Sequence, residues 1–387
     1  MQKETKRFKL AKFRFETDSG GFVDRFMITD NLLPMAEINL WIDLKSLRKT
    51  STGKDYASKL VVFLNHLDQI GVEYDSANNK HVHDFIHNMI YGNMVDLKIK
   101  SMETLVTYST LSKYVVVITE LYKWLYNNYE TNISFKSKTN TIRAQKSFMY
   151  GQIYTFDYQY IIAGYLPRLK TGREYTKWYN EDEKNRLADA FLSIRDVAVF
   201  KLTLEGFRID EVLSMTLDSY NAEERMIQPT RSKGKTDVRN GYNPLRTVAL
   251  PSDTCEILNQ YIESERMTAE NESGIISQHI FININKGRHQ GRLLSYSNYL
   301  KVLKRCAKRA TMNEAKIRTH NGRSTKAMEF LEHQALHSED GISDTIIMES
   351  FGWNSIDSIK HYRDHNNQLI AKTVNDKLHS KRGGRDD

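Results

Sequence analysis

Apolar side chains at Tyr56, Leu60, Phe63, Leu64, Leu67 and Ile70 recur every three or four positions, and Gly71 follows them. That spacing puts one apolar stripe along an α-helix, and the glycine supplies its stop. Val82, Phe85, Ile86, Met89 and Ile90 repeat the pattern up to Gly92. A third run carries Leu111, Tyr114, Val115, Ile118, Leu121, Tyr122 and Leu125 on one face, with Thr110 as the expected N-cap. The rhythm lapses over residues 130 to 178, first in "TNISFKSKTNT" and then in an aromatic, weakly periodic stretch holding one of only five prolines. Helical spacing returns from "KWYNEDEKNRLADAF", interrupted by the strand-like pieces "RMIQPTR", "LRTVAL" and "HIFINI".

The pattern predicts a chain that is mainly α with a small antiparallel β-sheet, an α+β fold. It divides into an N-terminal extension over 1–30, a helical domain over 31–135, a connection over 136–175, a mixed domain over 176–370 and a tail over 371–387. The closing "KLHSKRGGRDD" has little to pack and is expected to fray.

Bulk composition narrows the class. A chain of 387 residues, 40% hydrophobic and 27% charged, can bury a sizeable core. Its longest apolar runs, such as "YVVVI", fall short of the ~20 residues a membrane span needs, and "MQKETKRFKLAKFR" has no apolar leader core. A cytoplasmic protein is expected. Cys255 and Cys306 are the only cysteines, so neither a disulfide framework nor a thiolate metal site is expected, and both read as reduced packing residues.

A net charge of +8 fits a polyanionic partner, and the basic residues cluster. Besides the N-terminal "KETKRFKLAKFR" there are three such clusters, whose candidate phosphate contacts are Arg168, Lys170 and Arg173, then Arg231 and Lys235, then Lys301, Lys304 and Arg305.

Candidate chemistry begins with exclusions. "STGKD" lacks the upstream glycine of a phosphate-cradling loop, and His81, His83 and His87 lack partners at ligand spacing, so no metal site is expected. In "TLEGFRIDEVLSMTL", Gly206 can end one helix and place Arg208 in the first turn of the next. There a cation suits an incoming anion, or simply pairs with Asp210 and Glu211. His320 and Arg323, three apart at a helix start, can address one small group. In "FGWNSIDSIKHYRDH" a continuous helix would set Trp353 and Tyr362 on opposite faces. A break at Gly352 with a cap at Asn354 or Ser355 is therefore expected, leaving Tyr362 on a short separate helix.

In order, Gly-Phe-Arg-x-x-Glu, a lysine in a hairpin, His-x-x-Arg, Gly-Trp and a tyrosine nine residues on resemble the tyrosine recombinases, the phage-integrase-type family. The resemblance spans residues 175 to 370 and falls on Arg208, Lys233, His320, Arg323, Trp353 and Tyr362, with Lys235 as the alternative lysine. Lys233 is favoured because it sits nearer the strand end. Three positions depart from the family pattern: Ser324 stands for a second histidine, Gly322 for a common leucine, and Trp353 for a more frequent histidine whose N–H an indole can replace.

The resemblance implies a helical core-binding domain and a catalytic domain that form a C-shaped clamp on double-stranded DNA. It implies a site-specific recombinase or integrase of a mobile element, working as a homotetramer on paired sites, with an accessory directionality factor as a further partner. Tyr362 would attack the scissile phosphate to leave a 3′-phosphotyrosine, with Lys233 as general acid and His320 assisting. A free phenol is less than ~1% ionised at neutral pH, which costs about 4 kcal/mol unless the site helps. Two arginines, a lysine and two N–H donors would supply that help without metal, ATP or other cofactor. The rival reading is a non-catalytic, sequence-specific DNA-binding protein on the same fold. The basic start reads as a separate, mobile arm for a second DNA site or a neighbouring subunit.

Overall fold

The computed structural model describes residues 6–16, 22–47, 50–92, 106–129, 138–139, 154–155, 177–230 and 246–382. They fall in two compact units, Met1–Glu174 and Tyr175–Asp387, each with its own core. Helices dominate both, and the sheets are small and antiparallel, as the apolar spacing predicts. No helix among the described residues is long and apolar enough to cross a membrane.

The first unit opens with a hairpin, β1 (Phe8–Glu16) against β2 (Phe22–Asp30), in register from Phe8↔Asp30 to Glu16↔Phe22. A short β3 (Leu33–Pro34) leads into α1 (Ala36–Ser46), α2 (Thr50–Gln69), α3 (Asn79–Tyr91) and α4 (Tyr108–Asn128). The apolar stripes read from the sequence meet here: Leu60, Phe63, Leu64 and Leu67 of α2 pack with Val82, Phe85 and Ile86 of α3 and with Leu111, Val115 and Ile118 of α4. Gly71, at φ 69°, and Gly92, at φ 78°, follow α2 and α3 as expected. The N-cap of α4 is Thr107 instead of Thr110, because the Thr107 hydroxyl accepts from the Thr110 amide at 3.3 Å.

From Lys6 onward the basic start is not a separate element. Phe8 is 3% exposed and belongs with Ile28 to the helical core. The Asn65 side chain in α2 accepts from the Phe8 amide at 3.2 Å and donates to its carbonyl at 2.9 Å. Arg7 reaches Asp30, Asp68 and Glu73. Only Phe8 and Leu10 carried this signal, since they share the strand face that meets the core, while Phe13 and Phe15 fall on the other face and are exposed.

Residues Lys138–Thr139 (β4) and Tyr154–Thr155 (β5) pair as a two-stranded ladder. The second unit then runs through α5 (Glu181–Ala190), α6 (Ile194–Leu204) and α7 (Ile209–Ser214). A three-stranded sheet follows, with β6 (Tyr220–Asn221), β7 (Met226–Ile227) and β8 (Val248–Ala249) in that order. "HIFINI" is buried at Ile280, Phe281 and Ile282, yet it forms only isolated bridges, Thr216↔His279 and Ile282↔Leu293, instead of a strand. After α8 (Ser252–Tyr261) and α9 (Met267–Ser273) comes α10 (Tyr296–Arg309). It buries Tyr299, Leu303, Cys306 and Ala307 and turns Lys301 and Arg305 outward. Both cysteines are free and buried.

Three helices complete the unit: α11 (Asn321–Leu336), α12 (Asp344–Phe351) and α13 (Asp357–Arg382). Gly352 ends α12 in the left-handed conformation at φ 60°, which costs a residue without Cβ little. The Ser355 hydroxyl accepts from the Asp357 amide at 3.1 Å and opens α13. The expected break is present, but α13 is a 26-residue helix and not a short one. Its backbone continues through Arg382, past the point where fraying was expected. Exposed Leu369, Ile370 and Val374 explain why apolar spacing did not reveal its length: little of that stretch is buried.

Candidate active site

Gly206 follows α6 at φ 88°, and a Cβ there would come within 3.0 Å of the Phe351 ring. The turn buries Phe207 and delivers Arg208 as the residue before α7. Of the two readings of Arg208, the pairing with Glu211 is present. Its amide donates to Glu211 Oε2 at 2.9 Å and its Nη1 to Oε1 at 2.8 Å, while its side chain stays 22% exposed, facing an approach from solvent.

Glu211 is buried and central. Its Oε2 also accepts from Arg246 Nη2 at 2.9 Å, and Arg323 Nη1 lies 4.0 Å away. Arg323 is fully buried and donates to the Gly206 carbonyl at 2.5 Å and the Phe351 carbonyl at 2.6 Å. Arg246 donates to the same two carbonyls, at 3.1 and 2.6 Å. These carbonyls lie at the C-terminal ends of α6 and α12, where helix dipoles leave partial negative charge that suits a guanidinium. Among the described residues, Nε of Arg323 and of Arg246 is buried without a hydrogen-bond partner.

His320 caps α11, and its Nε2 lies 3.3 Å from the Tyr362 hydroxyl. Ser324, one turn along, sits 3.5 Å from that hydroxyl and donates to the His320 carbonyl at 3.2 Å. Tyr362 is 7% exposed, so the phenol is docked inside its own chain's site. The break at Gly352 lets its ring stack on Trp353, with centroids 5.5 Å apart and planes 20° apart; Trp353 also stacks on Phe351 at 4.7 Å. Arg323 packs over Phe351 and Trp353, at 5.1 and 5.5 Å from the ring centroids. Gly322 has a local reason: a Cβ there would lie 2.4 Å from Thr203 Oγ1 of α6, leaving no room for leucine.

The electrostatics are those of a site short of negative charge. Crowding by protein, then Arg323 and Arg208, push the His320 imidazole down to about 4, against a smaller opposing pull from Glu211. His320 is open to solvent on one side, but the two guanidiniums act in the same direction as the crowding, so the neutral imidazole faces Tyr362. Burial, then Arg208 and Arg246, push Arg323 down as well, and burial lowers Arg246. An incoming anion would relieve all three.

Arg208, His320, Arg323, Trp353 and Tyr362 therefore converge around one site. Lys233 and Lys235 lie outside the described residues, as do Arg168, Lys170, Arg173 and Arg231. Lys304 is partly covered and donates to the Glu314 carbonyl. Two members of the site escaped the sequence reading. Glu211 was visible in "GFRIDE" only as a partner for Arg208, and Arg246 meets its partners 35, 40 and 105 residues away, a relation no local pattern carries. No group of three or more metal-ligating side chains occurs among the described residues.

Three guanidiniums around one buried carboxylate, beside a tyrosine held on a neutral imidazole, make a cationic setting suited to an anion next to a phenol. Residues 177–368 match the model of the phage integrase family. This unit is thus a phage-integrase family domain, the domain of the tyrosine recombinases. Among solved structures, a variant of the Tn1549 transposon integrase in complex with a circular intermediate DNA is 12% identical. That likeness covers 88% of this chain and 98% of the other, with a TM-score of 0.56. The XerH site-specific recombinase in its post-cleavage complex with a palindromic difH substrate is 16% identical over 84% of this chain and 79% of its own, with a TM-score of 0.54. No curated protein sequence matches the chain.

Proposed function

We propose that the protein is a site-specific recombinase of a mobile element that cleaves and rejoins double-stranded DNA through Tyr362. The observation that carries the reading is the Tyr362 hydroxyl, 3.3 Å from His320 Nε2 and beside the cluster of Arg208, Arg246 and Arg323 around Glu211. In the forward step the phenolic oxygen attacks phosphorus, the new Oη–P bond forms and the P–O5′ bond breaks. The phenol proton passes to His320 Nε2, neutral in the resting site and made more basic when the phosphate's charge offsets Arg323 and Arg208, and the leaving 5′ oxygen takes a proton from Lys233. Arg208 and Arg323 neutralise the charge that builds on the phosphoryl oxygens. The reaction exchanges one phosphodiester for another, so a 5′-hydroxyl reverses it without ATP.

The DNA complexes of the Tn1549 integrase and XerH support the polymer as substrate. On this reading the first unit, with its hairpin, is the core-binding half of a clamp on the duplex, and four copies act on paired sites. The stretch 136–175 links the two halves. Lys301, Lys304 and Arg305, with the basic residues of the link, contact phosphates, and an accessory factor sets direction.

The test uses nicked suicide duplexes tiled across both ends of the element that carries the gene. Wild-type protein should form a covalent adduct that survives denaturant and chelator, and Tyr362→Phe should form none. The substitution forfeits only long contacts, 3.3 and 3.5 Å, so folding should change by less than ~1 kcal/mol. An adduct on another tyrosine would end the proposal.

A further inference from the structure

We infer that Arg246 is a positioning residue for strand cleavage, one that keeps Glu211 paired while Arg208 turns to the DNA phosphate. The inference rests on the recombinase reading above and adds a residue to it.

The three guanidiniums differ in what they are free to do. Arg323 is fully buried and fixed on two carbonyls. Arg246, with its side chain 7% exposed, is fixed on the same two carbonyls and on Glu211, with its guanidinium 4.9 Å from the Phe207 ring centroid. Arg208 has the most exposed side chain of the three, so it is the one an incoming phosphate meets first.

When Arg208 engages that phosphate, the Glu211 carboxylate loses its partner on Oε1. With Arg323 no nearer than 4.0 Å, a buried carboxylate that gives up a close ion pair is strongly disfavoured, so Glu211 would hold Arg208 back. Arg246 on Oε2, at 2.9 Å, removes that penalty, because the acid remains paired throughout the exchange. Arg246 also shares the Gly206 and Phe351 carbonyls with Arg323, and so holds the frame on which Arg323 is oriented. It does this without touching the reacting atoms.

The experiment measures single-turnover adduct formation on the nicked duplex that the wild type cleaves, alongside DNA affinity and thermal melting of the full chain. Arg246→Ala should slow cleavage at least ~10-fold, with affinity changed less than ~3-fold, and Arg246→Lys should recover part of the rate because it returns a positive charge to Glu211. The decisive variant is the double one. Glu211→Gln alone should slow cleavage, yet combined with Arg246→Ala it should speed cleavage relative to Arg246→Ala, since a neutral amide no longer retains Arg208. Were Arg246 only a packing element, the second substitution would deepen the defect, and that result overturns the inference. Should Arg246→Ala not fold, Arg246→Lys with and without Glu211→Gln poses the same question of sign. An adduct from wild type together with an unchanged rate in Arg246→Ala overturns the role of Arg246 alone. No adduct from wild type overturns the recombinase reading and this inference together.

Discussion

Replacing Arg323 with alanine should damage the fold of the second unit as well as its chemistry, and the two losses are separable. The guanidinium makes two short bonds to buried carbonyls, and charge-assisted bonds of this kind contribute about 1.5–3 kcal/mol each. Two features reduce the loss. Arg246 donates to the same carbonyls, so neither is orphaned, and removing one of three crowded cations relieves the burial cost, and then the repulsion from Arg208 and Arg246, that together lower the Arg323 pKa. A net destabilisation of about 2–4 kcal/mol follows, which for a unit of this size lowers its melting temperature by roughly 6–12 °C. Calorimetry of the full chain should show the transition of the second unit moving down while that of the first stays in place. Adduct formation should fall by several orders of magnitude at a temperature where the variant is still folded. An unchanged melt would show that the clasp of Arg323 on Gly206 and Phe351 contributes nothing to the fold, and would refute the reasoning from those two bonds.

Three further outcomes are expected. Since the folded site holds His320 neutral down to about pH 4 while an unfolded histidine protonates near 6.5, unfolding takes up a proton between those values. Stability of the second unit should therefore fall as pH drops from 6.5 towards 4, and His320→Gln should flatten that slope; an equal slope in both proteins refutes the shift. Deleting residues 1–20 should destabilise the first unit by about 3–5 kcal/mol, since it removes the buried Phe8 ring and leaves Asn65 without its Phe8 partners, and an unchanged urea midpoint would contradict this packing. If Lys301 and Arg305 each neutralise a phosphate, replacing both with alanine should lessen the slope of log affinity against log salt by about 1.8; no change in slope would remove them from the interface.

What the sequence made legible was what local spacing encodes. Gly352 and Ser355 announced a break because a left-handed residue followed by a hydroxyl cap is a short-range event. Leu60, Phe63 and Leu64 announced α2 because one helical face is buried. Where burial and locality part company, the reading failed. The length of α13 was hidden by its exposed outer half, and the expected strand in "HIFINI" is reduced to single bridges to two different segments, at Thr216 and Leu293, neither of which continues as a ladder. Arg246 could not be found because its partners are two carbonyls and a carboxylate assembled from distant segments. Arg208 was undecidable from sequence for a physical reason: the same guanidinium pairs with Glu211 and keeps part of its side chain in solvent.

The stack of Phe351, Trp353 and Tyr362 also gives the protein an optical handle. Only four tryptophans occur in the chain, and the two in the second unit both pack against α13: Trp353 on Tyr362, and Trp178 on His365 at 4.7 Å. Any motion that carries the nucleophile away from His320 must change the environment of at least one indole. Intrinsic fluorescence of the unlabelled protein, with Trp41 and Trp124 of the first unit as background, would therefore report any movement of Tyr362 off His320 in real time.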